Sequence, residues 1–325
     1  MTYMSTRPAS APQAIIKPKD GPALVWFNFK RSWMLHLLIF TPMFYYFLFE
    51  LLPLYGLQIV FREYKPRAGI TGSEWVGIAH FIEFFKYPKW TDITINTLVL
   101  SLYSIAVGFP IPVILALFLH VNQHKVLKKL TQNVSYIPHF ISTVVMVGLM
   151  QQIFDPITGV IAAVTKLSGG VYTGDLFSEL NTFRHLYTWS GVWQNMGWST
   201  IMYVAALSGV SMELHEAAKI DGASRFKRVL MVDLPAIMPT IAIMLIMRFG
   251  NIMSVGYEKT YLMQTKLNLA HSEVISTYLF KYGLEQSNFS YGAAIGIMNS
   301  IINSTLVILV NKISDWLSDG DAGLF

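Results

Sequence analysis

Residues 216–239, EAAKIDGASRFKRVLMVDLPAIMP, carry seven ionisable side chains, one glycine and two prolines. Long apolar runs lie on either side, at about 189–210 and 235–256. Charge of this density belongs in water, whereas the flanking runs belong in hydrocarbon. Glu213 and Glu216 come early and Arg225, Lys227 and Arg228 late. That order suits the dipole of a short helix starting near Ser211. Gly222 predicts a C-cap or a break after the first turns. A second helical piece is expected through SRFKRVLMV, and Pro235 falls near the start of the next helix, where a missing N–H costs least. The pattern therefore predicts short helices on the inner membrane face, joined directly to a spanning helix. Ala217, Ala218 and Gly222 are small and let another surface approach closely. An ordinary amphipathic loop helix fits the same residues.

The rest of the chain agrees with a membrane setting. Of 325 residues, 53% are hydrophobic and 13% charged, against about 25% charged in soluble domains. Six apolar runs predict six spanning helices, at 33–60, 93–119, 136–154, 189–210, 235–256 and 291–311. The third is short and polar at both ends. The runs are continuous rather than alternating, which favours an all-α membrane protein over a barrel. Lys and Arg in the loops set the orientation. The N-terminal segment has Arg7, Lys17, Lys19, Lys30 and Arg31, and loop 120–135 has Lys125, Lys128 and Lys129 with no acid. With the charged island, these segments fall on one side if there are six spans. Loop 155–188, on the other side, has only Lys166 and Arg184. Loop 61–92 is a partial exception, with five basic and four acidic residues. Both termini are predicted cytoplasmic. Residues 1–31 are expected to form a largely disordered cytoplasmic tail, rich in Pro, Ala and Ser over its first 20 residues. The first apolar run is expected to remain as an uncleaved anchor. Residues 32–325 then make one membrane domain, with the charged loop at about 211–239.

Enzymatic chemistry has little foothold. The chain has no cysteine, hence no thiol nucleophile, disulfide or Cys-based metal site. No H-E-x-x-H or G-x-S-x-G occurs. No G-x-x-x-x-G-K-[ST] occurs either, and GGVYTGDL at 169–176 lacks the lysine. His120 and His124 stand four apart on one helix face, but zinc needs three or four ligands and no third is close in sequence. No catalytic residue and no metal ligand set is predicted. Polar residues inside the apolar runs are more informative, because lipid penalises them. Arg248, Asn195, Asn299, Asn251 and Asn303 are of this kind, as is Glu50 in the first run. Measured along their helices, Arg248 and Asn299 lie roughly 12 Å and Asn195 roughly 9 Å below the outer edge. Three polar side chains on three helices then share one level. Arg248 suits a wet cavity and the carboxylate of an acidic sugar, pairing with Glu50, or snorkelling to lipid phosphate. The asparagines suit a polar pathway or hydrogen bonds between helices. Trp193 and Trp198, in YTWSGVWQNMGW, suit sugar stacking or an interfacial aromatic belt.

EAAKIDGA followed by LPAIMP resembles the EAA loop of permease subunits of binding-protein-dependent ABC importers. By position, Glu216, Ala217, Ala218, Asp221, Gly222, Ala223, Leu234 and Pro235 fall on that motif. LYGLQIVFREYKP, GSEWVGIAHFIEFF, SYIPHFIS, FDPITGVI, WQNMGWSTIMYVAALSGV and GNIM look like the LplB-type branch of sugar and polysaccharide permeases. The resemblance covers most of the chain. It implies a multi-pass subunit of the bacterial inner membrane whose EAA loop docks into an ATPase subunit. It implies two ATP-binding subunits that hold ATP and Mg, a second permease subunit, and an external substrate-binding protein. This chain would itself bind no cofactor. The implied cargo is a sugar or oligosaccharide, acidic ones such as alginate oligosaccharide included. A polytopic membrane enzyme, such as a lipid-linked glycosyl transferase, and a non-transporting sensor subunit are the alternatives. The first needs a carboxylate or metal cluster at the interface, and the sequence offers no convincing one.

Overall fold

The computed structural model describes residues 22–172 and 174–317. Most of the expected tail, residues 1–21, lies outside the described residues. The chain divides into two compact units, 1–58 and 59–325.

The first unit is described from helix α1, Pro22–Tyr46, which continues into a π-helical turn at Phe47–Leu51. Helix thus begins inside the segment read as a tail. Ser32 departs from helical geometry (φ −111°, ψ 17°) and marks a kink. Beyond it, Ser32–Phe61 is 30 residues long and apolar enough to cross a membrane. Glu50 lies in the π turn.

The second unit opens with a small antiparallel hairpin, β1 (Arg62–Glu63) and β2 (Glu74–Trp75), in which Arg62 faces Trp75. The Arg62 guanidinium lies 5.5 Å over the Trp75 ring. Helix α2, Trp90–Gly108, is followed after Phe109 by α3, Pro110–Val121. Pro110 tolerates this junction because it starts the new helix, where its missing N–H is not needed. Helix α4, Lys125–Tyr136, and a 3-10 turn at Ile137–Phe140 lead to a break. Helix α5, Thr143–Phe154, leaves it at 100°. Helix α6, Phe183–Ser208, is the long central element. Helix α7, Met212–Ile220, belongs to the charged loop. A π turn at Val229–Asp233 runs into α8, Leu234–Phe249. Short α9, Tyr257–Met263, and long α10, Phe289–Leu317, follow, with shorter helices and turns between the elements named.

Among the described residues, four stretches are long and apolar enough to span: 32–61, 90–121, 225–249 and 289–315. The bent pair 125–140 and 143–154 makes a fifth if counted as one. Two expected spans therefore look different in the structure. Residues 136–154 are not one straight helix. Ser142 caps α5, its Oγ accepting from the Val145 N–H at 3.3 Å. The Ile141 carbonyl accepts from Gln194 Nε2 at 2.8 Å. The cap and the satisfied carbonyl stabilise the break. Helix α5 alone, 12 residues, reaches about 18 Å, short of a bilayer core. Helix α6, with 26 residues, is long enough but carries Arg184, His185, Gln194 and Asn195 within its length. Arg184 and His185 bond to Asn96 and Tyr103 of α2 at 2.7 and 2.8 Å, while Gln194 and Asn195 face a polar cavity.

Three buried clusters hold the unit together. Leu100, Met146, Met150, Phe183 and Met263 tie the bent helix to α2, α6 and α9. Phe84, Ile252, Tyr278, Tyr291 and Ile295 fix the start of α10. Val113, Ala116, Tyr203, Leu207 and Ile237 join α3, α6 and α8. Helices α6 and α4 approach closely at Gly197, where a Cβ would collide with the Ser135 carbonyl oxygen. Small residues permit such backbone contact between membrane helices.

Candidate functional site: a cationic cavity and a charged loop

A cavity of about 300 Å³ opens among α2, α3, α6, the end of α8 and the start of α9. Its wall includes Ser101, Ser104, Gln194, Asn195, Ser199, Arg248, Asn251, Ser254 and Lys259. Helix α6 runs along it, which explains Gln194 and Asn195 within that helix. Arg248, Asn195 and Asn251 are thus brought to one space. Arg248 stands near the C-terminal end of α8 and is exposed in the isolated chain. Among the described residues of the second unit no carboxylate lies at ion-pair distance from it. Asn195 Nδ2 donates to the Gly191 carbonyl at 3.0 Å, and its Oδ1 meets His139 Nδ1 at 3.1 Å.

Lys259 is the wall residue that sequence reasoning missed. Its ammonium donates to the Tyr187 carbonyl at 2.7 Å and sits 4.5 Å above the Tyr187 ring. Gly191 leaves room for it, since a Cβ there would come within 3.1 Å of Nζ. Burial penalises the charged form and pushes the Lys259 pKa down to about 7. Nothing in YEKTYLM separates this lysine from an ordinary loop residue. Only the packing against Tyr187 and Gly191 does so.

The other polar residues take different places. Asn303 Oδ1 accepts from the Met253 N–H at 3.0 Å and its Nδ2 donates to Ser254 Oγ at 2.9 Å, which pins the turn after α8 to α10. Asn299 lines a separate depression with Tyr257, Ser276 and Phe280, where its Oδ1 is buried without a hydrogen bond. Trp193 faces an apolar groove with Leu130, Val134 and Pro138. Trp198 stacks on His139 at 4.5 Å with planes 9° apart. Neither tryptophan lines the cationic cavity.

The loop at 211–239 is built as a cap, a turn and a second cap. Ser211 Oγ accepts from the Glu213 N–H at 3.2 Å and starts α7. Gly222, at φ +77°, ends it. The Gly222 N–H reaches the Lys219 carbonyl at 3.1 Å and the Ala223 N–H the Ala218 carbonyl at 2.9 Å. These paired bonds form a Schellman ending, which needs a left-handed residue where glycine carries no penalty. Ser224 caps the next turn, Arg225–Arg228. Glu216, Ala217, Asp221 and Gly222 are exposed, Ala218, Ala223 and Leu234 half-buried, and Pro235 exposed at the start of α8. Met212, Leu214, Phe226 and Ile220 present apolar surface on this charged loop, Ile220 being 86% exposed. His120 does not pair with His124. It meets His215 of α7 and Asp233 instead.

Residues 96–319 match the family model described as binding-protein-dependent transport system inner membrane component. The polygalacturonan/rhamnogalacturonan transport system permease protein YteP of Bacillus subtilis (strain 168) is 36% identical over 99% of this chain and 100% of its own length. Protein LplB of the same organism is 35% identical over 93% of this chain and 97% of its own. Among solved structures, a chain of a bacterial alginate ABC transporter, in complex with alginate pentasaccharide-bound periplasmic protein, superposes with a TM-score of 0.83. It is 31% identical and covers 92% of this chain and 99% of its own. These relatives are transport subunits, and neither the enzyme nor the sensor alternative finds support among them. A mostly helical chain with several apolar helices, a polar cavity and an exposed charged loop, matched in sequence and fold over nearly its whole length, belongs to the family of binding-protein-dependent transport system inner membrane components and is a permease subunit of a bacterial ABC importer.

Proposed function

We propose that this permease passes an acidic oligosaccharide, and that the cationic cavity is its pathway through the chain. The observation that carries this reading is the pair Arg248 and Lys259 on one cavity wall, among neutral donors Ser101, Gln194, Asn195 and Asn251. A guanidinium and an ammonium without carboxylate partners there suit the repeated carboxylates of a uronate chain. Hydroxyl and amide groups suit the sugar hydroxyls. That YteP is a polygalacturonan/rhamnogalacturonan transport protein and the solved relative an alginate transporter supports the same class of cargo. Asn299 and Asn303 would act on the cavity only through the turn at 251–254, and Trp193 and Trp198 would lie outside the pathway.

The loop at 211–239 is the coupling element in this reading. Exposed Ile220, Phe226 and Met212 would enter a cleft of an ATPase subunit, with Glu216, Ala217, Ala218, Asp221, Gly222 and Ala223 at the contact. Leu234 and Pro235 would pass the motion into α8, which carries Arg248. Two ATPase subunits, holding ATP and Mg, and a second, different permease subunit would complete the importer. A loaded external binding protein would deliver the sugar. ATP favours the closed ATPase pair, and that differential affinity would turn the cavity from one side to the other. Six crossings with both ends inside follow if the bent 125–154 segment is the third and α6 the fourth. Reporters fused after Gly320 and near Ser168 should then read cytoplasmic and external respectively.

The cargo is tested with the complete importer in proteoliposomes, supplied with binding protein and ATP. Labelled oligouronates should be taken up and neutral oligosaccharides of equal length should not. Equal uptake of both would remove the acidic-sugar reading.

A further inference from the structure

His120 ends α3, His215 lies in the middle of α7, and Asp233 closes the π turn that leads into α8. Asp233 Oδ1 is 3.0 Å from His215 Nε2 and 3.5 Å from His120 Nε2. All three atoms fall within 4.8 Å of one another. The Asp233 side chain is 2% exposed. Yet Asp233 Oδ1 and His215 Nε2 are both buried without a hydrogen bond. Their separation is short enough for one, so their direction is at fault. Buried polar atoms that approach without aiming at each other call for a third partner, because leaving them unsatisfied is costly. The π turn is what brings Asp233 inward, and such turns recur at functional sites.

We propose that His120, His215 and Asp233 form a transition-metal site, with Zn²⁺ the fitting ion. Two imidazoles and one carboxylate, with a fourth position left for water, make a familiar zinc ligand set. Bonds of about 2.0–2.1 Å at tetrahedral angles need ligand atoms about 3.3 Å apart. The two distances to Asp233 bracket that value. Imidazole ligands select against Mg²⁺ and Ca²⁺, which take oxygen. A bound ion would tie α7 to the ends of α3 and α8. This tie matters for transport only if α7 is the coupling helix, whereas the binding itself does not depend on that reading.

The test uses the full-length chain in its importer complex, purified without a histidine tag and titrated with Zn²⁺ alone against a chromophoric chelator. About one tightly held ion per chain is expected. Losing an outer partner of a metal ligand already costs 10–100-fold, so His215→Asn and His120→Asn should each weaken binding roughly 100-fold or more. His124→Asn should leave it unchanged. Asp233→Asn is a weaker probe, since the buried position risks the fold, and the two half-buried histidines carry the result. No bound Zn²⁺, or wild-type affinity retained in either histidine variant, overturns the site. Zn²⁺ should also slow ATPase activity stimulated by loaded binding protein in the wild type and not in His215→Asn. Binding without that slowing overturns the tether. The coupling role of α7 is broken separately, by normal transport in Gly222→Arg.

Discussion

Between Ser211 and Pro239 each structural cue acts on its near neighbours: a serine cap, a glycine at φ +77°, a second serine cap and a proline at a helix start. The cavity around Arg248 is assembled from residues as far apart as Ser101 and Lys259, and its wall is shared by five helices. The first region is local and exposed, so a substitution there changes what the loop can touch. The second is non-local and shared among helices, so a substitution there changes what the space can hold. Under the proposed roles, the contrast teaches where selectivity and energy transfer are separable in one chain. Variants of the loop should fail for every cargo, and variants of the wall only for charged ones.

The largest effect is expected at the loop. Gly222→Arg should remove the Schellman ending and crowd the docking surface, and Glu216→Lys should reverse a charge in the middle of α7. Uptake should fall to background in both, with the chain still at normal level in membranes by immunoblot. Normal uptake in either would erase the distinction drawn above. Next comes Arg248→Met. Loss of a charge-assisted contact is worth about 2 kcal/mol, or roughly 30-fold in uptake of an acidic oligosaccharide. Basal ATPase activity should not change, and an equal drop in basal ATPase would make Arg248 structural.

A smaller and sharper effect is expected from pH. Lys259 in the empty cavity titrates at about 7, because burial opposes its charge. A bound carboxylate favours the protonated amine, so binding takes up a proton. Affinity should therefore be full below that pH and fall as pH rises, by up to about tenfold per unit. The pH profile of KM for transport should lose this limb in Lys259→Met, and an identical profile in the variant would remove Lys259 from the pathway. Stability runs the other way, since the unfolded chain keeps its proton to near 10.5 and the fold gains as pH rises from about 7. The smallest effect belongs to Asn303→Ala. It breaks two hydrogen bonds to the turn after α8. A loss of about 1–2 kcal/mol in thermal stability is expected, with cargo preference intact.

This contrast also explains what the sequence could reveal. The island was legible because charge order, Gly222 and Pro235 are cues that act on neighbours. The membrane class was legible from the apolar runs. Arg248 stood out because lipid makes a lone arginine conspicuous, and Asn195 and Asn251 followed it. Lys259 stayed hidden because a lysine just beyond an apolar run looks solvated until Tyr187 is laid across it. The bend at 141–142 showed only as a short run with polar ends, since the Gln194 side chain that stabilises it comes from α6. The histidine pair was drawn by spacing to His124, and the partners that proximity supplies are His215 and Asp233. Asn299 shares a depth with Arg248 by residue count but opens on other space, because depth along a helix does not fix its rotation.

Gly197 has a consequence for how such a chain can diverge. Any side chain there would strike the Ser135 backbone, and backbone cannot rotate out of the way. Met196 and Ser199, on either side of it, are half-buried and line the cavity. In a saturation library, position 197 should return glycine alone between two permissive sites. If the cavity is the proposed pathway, descendants of this protein can alter the lining of α6 step by step, and with it the cargo, while inheriting the crossing of α6 over α4 whole.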